Sequence, residues 1–342
     1  MGSVKDFKII KPASVEEPGI GRFIFTDRYS VFDWGEMPDH IPNKGASIAM
    51  LSAYFFERLN ELKIVSHYRG LVGDNKVRLL SEISEPTNVM EVTLVRVLKP
   101  ELKADKYDYS IYQKEKGNFL IPLEVIYRNS LPPGSSVFKR LKEGQIKPSD
   151  LGFSQEPKPN QRLEKTILDV STKLEITDRY LTWDEARQMA GMSDEELTEL
   201  KAATNQINSF ITAEFDKVGL VNEDGKIEVA YNRERKLMLV DVLGTLDECR
   251  FTYEGIPVSK EIARIYYRNT AWFKAVEEAK QKDRQNWKDI CRLQPESLPP
   301  RLKELISQVY CACTNEITGR IWFKNVPALY KILKEINCYI NF

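Results

Sequence analysis

The chain has 342 residues, 42% hydrophobic and 29% charged, enough to bury a large core and ordinary for a globular protein. Its 50 Lys and Arg balance 50 Asp and Glu, so no overall field draws in nucleic acid or a membrane, and any anionic ligand must be held by a local basic pocket. Cys249, Cys291, Cys311, Cys313 and Cys338 form no CxxC pair, and His40 and His67 are the only histidines, which excludes a disulfide scaffold and a zinc or His-rich metal centre.

In chain order, the short apolar runs Phe7–Ile10 and Arg22–Thr26 flank Glu16-Glu17-Pro18-Gly19, a turn composition, and predict a hairpin. Ile48, Leu51, Tyr54, Phe55, Leu59 and Leu62 recur at helical spacing and predict a helix over Ser47–Lys63. Met90–Leu98 and Leu120–Tyr127 read as strands, and the polar Lys99–Asn118 between them as an inserted loop or hairpin outside the core. Pro132-Pro133-Gly134 and Gln155–Arg162 mark surface crossings. Ser193 and Glu196 have capping-box spacing and open a helix striped with Leu197, Leu200, Ile207, Phe210 and Ile211. Lys226–Tyr231 and Lys236–Val242 flank Asn232-Arg233-Glu234-Arg235 as a second hairpin, whereas Asp224-Gly225 has the composition of a turn. After about Ser259 the pattern is helical, interrupted at Pro295–Pro300. Trp272, Phe273, Trp287 and Trp322 suit a core or a homo-oligomer interface. No apolar run approaches the ~20 residues of a membrane span, and Met1–Lys11 lacks a signal-peptide core, so a cytoplasmic protein is expected.

Four clusters carry potential chemistry. Thr26–Asp33 is a polar strand end followed by Asn43-Lys44-Gly45 before a helix, where backbone amides either meet an anion or simply cap a surface loop. Arg128-Asn129, Gly134-Ser135-Ser136 and Lys139-Arg140 combine a Gly-Ser turn with cations whose forks match phosphate oxygens, or are solvated. Lys226 and Glu228 share one strand face; with Asp241 on the partner strand the carboxylates suit Mg²⁺, or else form a solvated cross-strand pair. Arg250 and Arg268 are separate cations of the kind that converge on one anion, and Cys249 reads as a packing residue because no basic partner is predictable beside it. GxxxxGK[ST] is absent and Gly19-Ile20-Gly21 lacks the third glycine, which excludes P-loop and Rossmann readings.

Taken in order, these segments resemble the SAICAR synthase (phosphoribosylaminoimidazole-succinocarboxamide synthase) family. Gly2-Ser3-Val4-Lys5-Asp6 is similar to its opening element, Thr26–Asp33 to T-D-R-x-S-x-x-D, and Ile41–Gly45 to I-P-x-K-G. Ile121–Asn129 is similar to the P-[IVL]-E-x-[IV]-[IV]-R strand, with Gly134-Ser135 after it, and Ser171-Thr172-Lys173 with Glu175 and Asp178 to S-T-K-x-E…D. Gly219, Leu220, Asp224, Lys226 and Glu228 keep the spacing of G-L-x-x-x-D-x-K-x-E, and Asp241, Thr245, Asp247 and Arg250 that of D-x-x-x-T-x-D-x-x-R. The likeness covers about residues 2–275, with Ser3 replacing a family lysine and Gly225 an aromatic or apolar residue.

The resemblance implies an α+β, two-lobed fold. Its β-rich N-terminal lobe over 1–98 is related to kinase-like ATP-binding folds; an insertion follows at 99–119, a larger α+β catalytic lobe at 120–275 and a helical extension at 276–342. It implies an ATP-dependent ligase of purine biosynthesis that joins L-aspartate to 5-amino-1-(5-phospho-D-ribosyl)imidazole-4-carboxylate through an acyl phosphate. Lys5, Lys44 and Glu124 would serve ATP; Glu228 and Asp241 would hold Mg²⁺ and, with Lys226, form the catalytic set. Arg128, Ser135 (or Ser136), Lys226, Arg250 and Arg268 would bind the ribonucleotide, and Asp27, Ser30, Asp33 and Lys173 would border the aspartate and phosphate end. The rival readings are a small-molecule kinase, which needs a hydroxyl acceptor and a general base, and an inactive nucleotide-binding regulator.

Overall fold

The computed structural model describes residues 4–340 other than 105, 259 and 285; Gly2 and Ser3 of the opening element lie outside the described residues. The expected first hairpin is β1 (Lys5–Lys11) paired antiparallel with β2 (Gly19–Phe25). Helix α1 (Lys44–Arg58) follows, then β3 (Tyr68–Gly73), β4 (Lys76–Arg78) and β5 (Val89–Leu94). These strands form a five-stranded antiparallel sheet in the order β1-β2-β5-β3-β4. The helical spacing puts Ile48, Leu51 and Phe55 of α1 into the core.

The polar stretch that follows does form a hairpin, β6 (Glu101–Lys103) with β7 (Lys106–Asp108), but it is not wholly outside the core. A 3₁₀ turn over Ser110–Gln113 sends Tyr112 inward, where its ring meets Phe119 at 5.7 Å and its hydroxyl bonds the Leu98 carbonyl. Tyr109 is buried beside it, its ring 5.9 Å from that of Tyr112, and the charged majority of the segment masks both anchors in the sequence.

The second sheet is built on β8 (Phe119–Leu131), which leads through α2 (Ser136–Lys142) to β9 (Gln161–Thr172). Helices α3 (Trp183–Met189) and α4 (Asp194–Asp216) come next. The capping box is present: the Glu196 amide donates to Ser193 Oγ at 3.2 Å, and the Ser193 amide to the Glu196 carboxylate at 2.9 Å. Then follow β10 (Val221–Tyr231), β11 (Leu237–Val240), β12 (Cys249–Tyr253) and β13 (Ile256–Pro257), giving the order β13-β12-β10-β8-β9 with β11 on β10. The two sheets touch through backbone: the His67 amide donates to the Leu239 carbonyl at 2.9 Å, and the Leu239 amide to that of Val65 at 2.8 Å. Helices α5 (Glu261–Arg268), α6 (Ala271–Lys282), α7 (Trp287–Ile290), α8 (Pro300–Thr318) and α9 (Leu329–Ile340) complete the described chain. Trp272, Trp287 and Trp322 are buried in its core, and no helix is long and apolar enough to cross a membrane.

Asp224-Gly225 is not a turn. Both residues lie inside β10, where Asp224 pairs with Arg128 on one side and Arg250 on the other, and Gly225 with Tyr127 and Cys249. The glycine is there for space: a Cβ would stand 2.3 Å from Tyr127 Oη and 2.9 Å from Cys249 Sγ. Composition suggests a turn; two flanking strands that satisfy the backbone override it. Gly225→Ala therefore forces apart two buried side chains and should destabilise the protein by about 1–3 kcal/mol, read as a lowered midpoint of urea unfolding. An unchanged midpoint would mean that β10 and its neighbours yield at this point.

Candidate active site

The two-residue period of β10 sets the site. Asp224, Lys226 and Glu228 project to one face, and across the ladder to β8 they stand opposite Arg128, Ile126 and Glu124. Lys173, just beyond β9, reaches Glu228 at 2.5 Å and Glu124 at 3.4 Å. Lys226 Nζ lies 3.0 Å from Glu124, 3.3 Å from Glu248 and 3.9 Å from Glu228. Asp241, one residue past β11, forms an ion pair with Lys5 of β1, so residues 236 apart in sequence meet.

Burial makes these charges act on one another strongly. Glu228 is pushed up to about 7, first by burial and then by the negative charge of Asp241, against the pull of Lys173 and Lys226. Burial pushes Asp241 the same way, but Lys5, Lys173 and Lys226 together hold its carboxyl below the usual range. Lys226 is opposed by burial yet held above the usual lysine value by Glu248, Glu124 and Glu228. Among the described residues no group of three or more His, Cys, Asp or Glu is arranged for a metal. The Glu228–Asp241 pair is thus a partial, oxygen-only donor set. A hard cation completing its shell with phosphate and water oxygens fits it, and would relieve the repulsion that raises Glu228.

A second cluster starts two residues earlier on the same strand. Arg128 is 2% exposed and divides its guanidinium between Asp169 and Asp224, each at 3.3 Å. Arg140 pairs with the same Asp169 oxygen that Arg128 uses, and Arg250 Nε donates to Asp224 at 2.7 Å. Arg128 also donates to Ser136 Oγ at 3.1 Å and to Ser135 Oγ at 3.4 Å; Ser136 Oγ sits 2.6 Å from the Tyr180 hydroxyl, and Ser135 is the N-cap of α2. Arg250 and Arg268 do converge: a Cβ on Gly134 would lie 3.6 Å from Arg250 Nη1 and 3.9 Å from Arg268 Nη2. Arg268 is otherwise paired with Glu261 at 2.7 Å.

The remaining expected residues line supports rather than these two clusters. Asp27 accepts from the Asn43 and Gly45 amides at 3.2 and 3.0 Å, so the start of α1 finds its anion within the chain. Lys44 is buried, 2.7 Å from Asp247, whose other oxygen accepts from the Tyr310 hydroxyl at 2.6 Å. Ser30 accepts the Gly35 amide at 3.4 Å, and Asp33, largely exposed, meets Lys280 at 3.3 Å. Sequence reasoning gave Asp169, Tyr180 and His67 no role in the site. Arg140 was already counted among the cations after the Gly-Ser turn, and Glu248 lies within the Asp247–Arg250 segment; Asp169 and Tyr180 give no signal until β9 pairs with β8.

A single strand thus offers Asp224, Lys226 and Glu228, a cation between two carboxylates, to one face lined by further cations from β1, β8 and the end of β9. The backbone is that of solved SAICAR synthases. The enzyme of Saccharomyces cerevisiae complexed with SAICAR matches with a TM-score of 0.65 and 20% identity, covering 94% of both chains. A SAICAR synthetase in complex with ADP matches with a TM-score of 0.55 and 19% identity, over 87% of this chain and 99% of its own. A protein of Archaeoglobus fulgidus assigned to the phosphoribosylaminoimidazole-succinocarboxamide synthases is 49% identical over 336 residues, 98% of each chain. The family described as SAICAR synthetase matches residues 14–285, and the chain belongs to it.

The cysteines take no part in this site. All five are free thiols; burial pushes Cys249 up to about 12 and Cys311 to about 11. Cys338 is exposed on α9. Iodoacetamide at pH 8 should therefore label Cys338 in the native protein and Cys249, Cys311 and Cys313 only after unfolding, as read by peptide mass spectrometry. Native labelling of Cys249 would contradict the packing around Tyr127.

Proposed function

We propose that the two clusters on β10 divide the work of an ATP-dependent ligation in purine biosynthesis: L-aspartate is joined to 5-amino-1-(5-phospho-D-ribosyl)imidazole-4-carboxylate to give SAICAR, ADP and phosphate. The observation that carries this reading is the shared face of Asp224, Lys226 and Glu228, which runs from the arginine cluster to the carboxylate pair within one strand. A substrate with a phosphate at one end and a carboxylate at the other spans such a face. Family membership supplies the reaction class.

A carboxylate resists attack by an amine because its oxygen is a poor leaving group. Transfer of the γ-phosphoryl group of ATP to that oxygen releases ADP. The aspartate amine then adds to the carbonyl carbon, phosphate departs with the C–O bond, and the amine gives up a proton to solvent. Such transfers depend on positioning and charge neutralisation. Lys226, now paired with Glu124, would hold the imidazole carboxylate, and Lys5 would meet ATP phosphates on leaving Asp241. Glu228 and Asp241 would hold Mg²⁺, which neutralises phosphate oxygens when bound. Lys173, between Glu124 and Glu228, keeps those carboxylates in place. Arg250 and Arg268 bind the ribonucleotide phosphate, with Arg128, Ser135 and Asp224 setting the direction of Arg250. Asp27, Ser30, Asp33 and Lys44 belong to the loops and helix start that border the aspartate and nucleotide. Free buried thiols suit a cytoplasmic setting.

Phosphate release is the direct test. It should require ATP, the ribonucleotide and aspartate together; ADP formed without aspartate and without free phosphate, the phosphoryl group staying on its acceptor, would favour a phosphotransferase, and neither ADP nor phosphate under any condition a binding protein. The arginines should separate by burial. Arg250→Lys and Arg268→Lys keep charge but lose the fork, weakening ribonucleotide binding about 10- to 100-fold while nucleotide affinity barely moves, because a charge-assisted hydrogen bond is worth about 1.5–3 kcal/mol. Arg128→Lys should also lower the melting temperature, since it leaves buried Asp169 and Asp224 underpaired. Calorimetric titration with both ligands checks each variant; a loss confined to nucleotide binding would mean the two subsites are reversed.

A further inference from the structure

We propose that His67 is a positioning residue for Asp241, fixing the backbone from which that carboxylate reaches a metal–nucleotide complex. This rests on the reading of Asp241 as a Mg²⁺–nucleotide ligand. Asp241 has φ 66°, in the left-handed region, which aspartate tolerates better than most side chains but which turns its carbonyl out of the strand. It is the residue at which the chain leaves the β11 ladder: Glu228 pairs with Val240, and the register stops there. The Asp241 carbonyl therefore needs a donor from elsewhere, and His67 Nε2 supplies it at 3.0 Å. A carbonyl only accepts, so Nε2 must carry the hydrogen.

The histidine is itself tightly held. Its amide donates to Leu239 at 2.9 Å and its carbonyl accepts from the Thr93 amide at 2.7 Å, tying it to β11 and to β5. Its ring lies between Phe23, at 5.7 Å, and Phe56, at 5.5 Å. Phe23 also carries Lys5 Nζ at 4.6 Å above its ring, and Lys5 is the ion-pair partner of the Asp241 carboxylate. One aromatic ring thus supports both the donor to the Asp241 backbone and the cation on its side chain. Without the His67 donor, the Asp241 peptide is free to relax to negative φ, and its carboxylate would swing away from Glu228. A residue that merely filled the core would not be aimed at that carbonyl.

The test uses the full chain with His67→Phe, which keeps an aromatic ring between Phe23 and Phe56 but donates nothing, and His67→Gln, whose amide restores a donor. Binding of ADP with Mg²⁺ is measured by calorimetry, and the Mg²⁺ activation constant and substrate KM values by phosphate release. His67→Phe should weaken Mg²⁺–ADP binding and raise the Mg²⁺ requirement about three- to tenfold, the loss expected for one hydrogen bond, with the ribonucleotide KM unchanged. His67→Gln should recover most of the loss. Should His67→Phe fail to fold, His67→Met, a flexible apolar filler, carries the same expectation. Equal changes in all KM values, or no recovery with glutamine, would overturn the proposal. Asp241→Asn separates the two readings: if it leaves Mg²⁺ dependence untouched, Asp241 is not a metal ligand; if it shifts the dependence and His67→Phe does not, His67 does not position it.

Discussion

The two-residue period of one central strand organises this protein. Strand β10 is paired on both sides, so it can neither twist out of the sheet nor slip by a residue without turning Asp224, Lys226 and Glu228 to the opposite face. Glu124 and Arg128 of β8 keep step with it, and Lys173 arrives because β9 keeps step with β8. The geometry of a large polar site thus reduces to a register, and Gly225 marks how closely the neighbouring side chains pack against that strand.

Such a concentration of charge in a buried place is costly unless every ion has a partner. The partners are internal: Lys5 with Asp241, Lys173 with Glu228, Arg250 with Asp224. On the proposed reading, phosphate and metal would take over these partners, and binding would be an exchange of ions. The raised Glu228 shows where the internal pairing is incomplete, next to the carboxylate of Asp241.

Much of the architecture was legible in the chain. The β1–β2 hairpin followed from a turn composition, the start of α4 from Ser193 and Glu196, and the β10–β11 hairpin from alternation around Asn232–Arg235. What failed was reading composition where tertiary pairing decides, as at Asp224-Gly225, or where a few aromatics anchor a polar segment, as at Tyr109 and Tyr112. At the site, motif spacing singled out Lys226, Glu228, Asp241, Arg128 and Arg250. It could not separate Arg128, enclosed by two aspartates, from the more open Arg250 and Arg268, because burial is not a local property of sequence. His67 and Asp169 were invisible for the same reason: each matters through a partner far along the chain.

Lys44 waits on the rest of the chain. It opens α1 but is neutralised by Asp247, which is in turn steadied by Tyr310 of α8, while Ser307 of α8 donates to the Pro42 carbonyl at 2.6 Å just ahead of that helix. During synthesis from the N-terminus, the first sheet therefore emerges with a lysine whose counter-ion is not yet made, and the segment before α1 lacks its brace until α8 is complete. Helix formation in α1 is local and fast, and its packing on β2, β3 and β5 is available early, but its contact with α8 is a late, long-range event. Nascent chains halted before α8 would hold both sheets with the α8-facing side of α1 uncovered, and such exposed apolar surface is what chaperones act on.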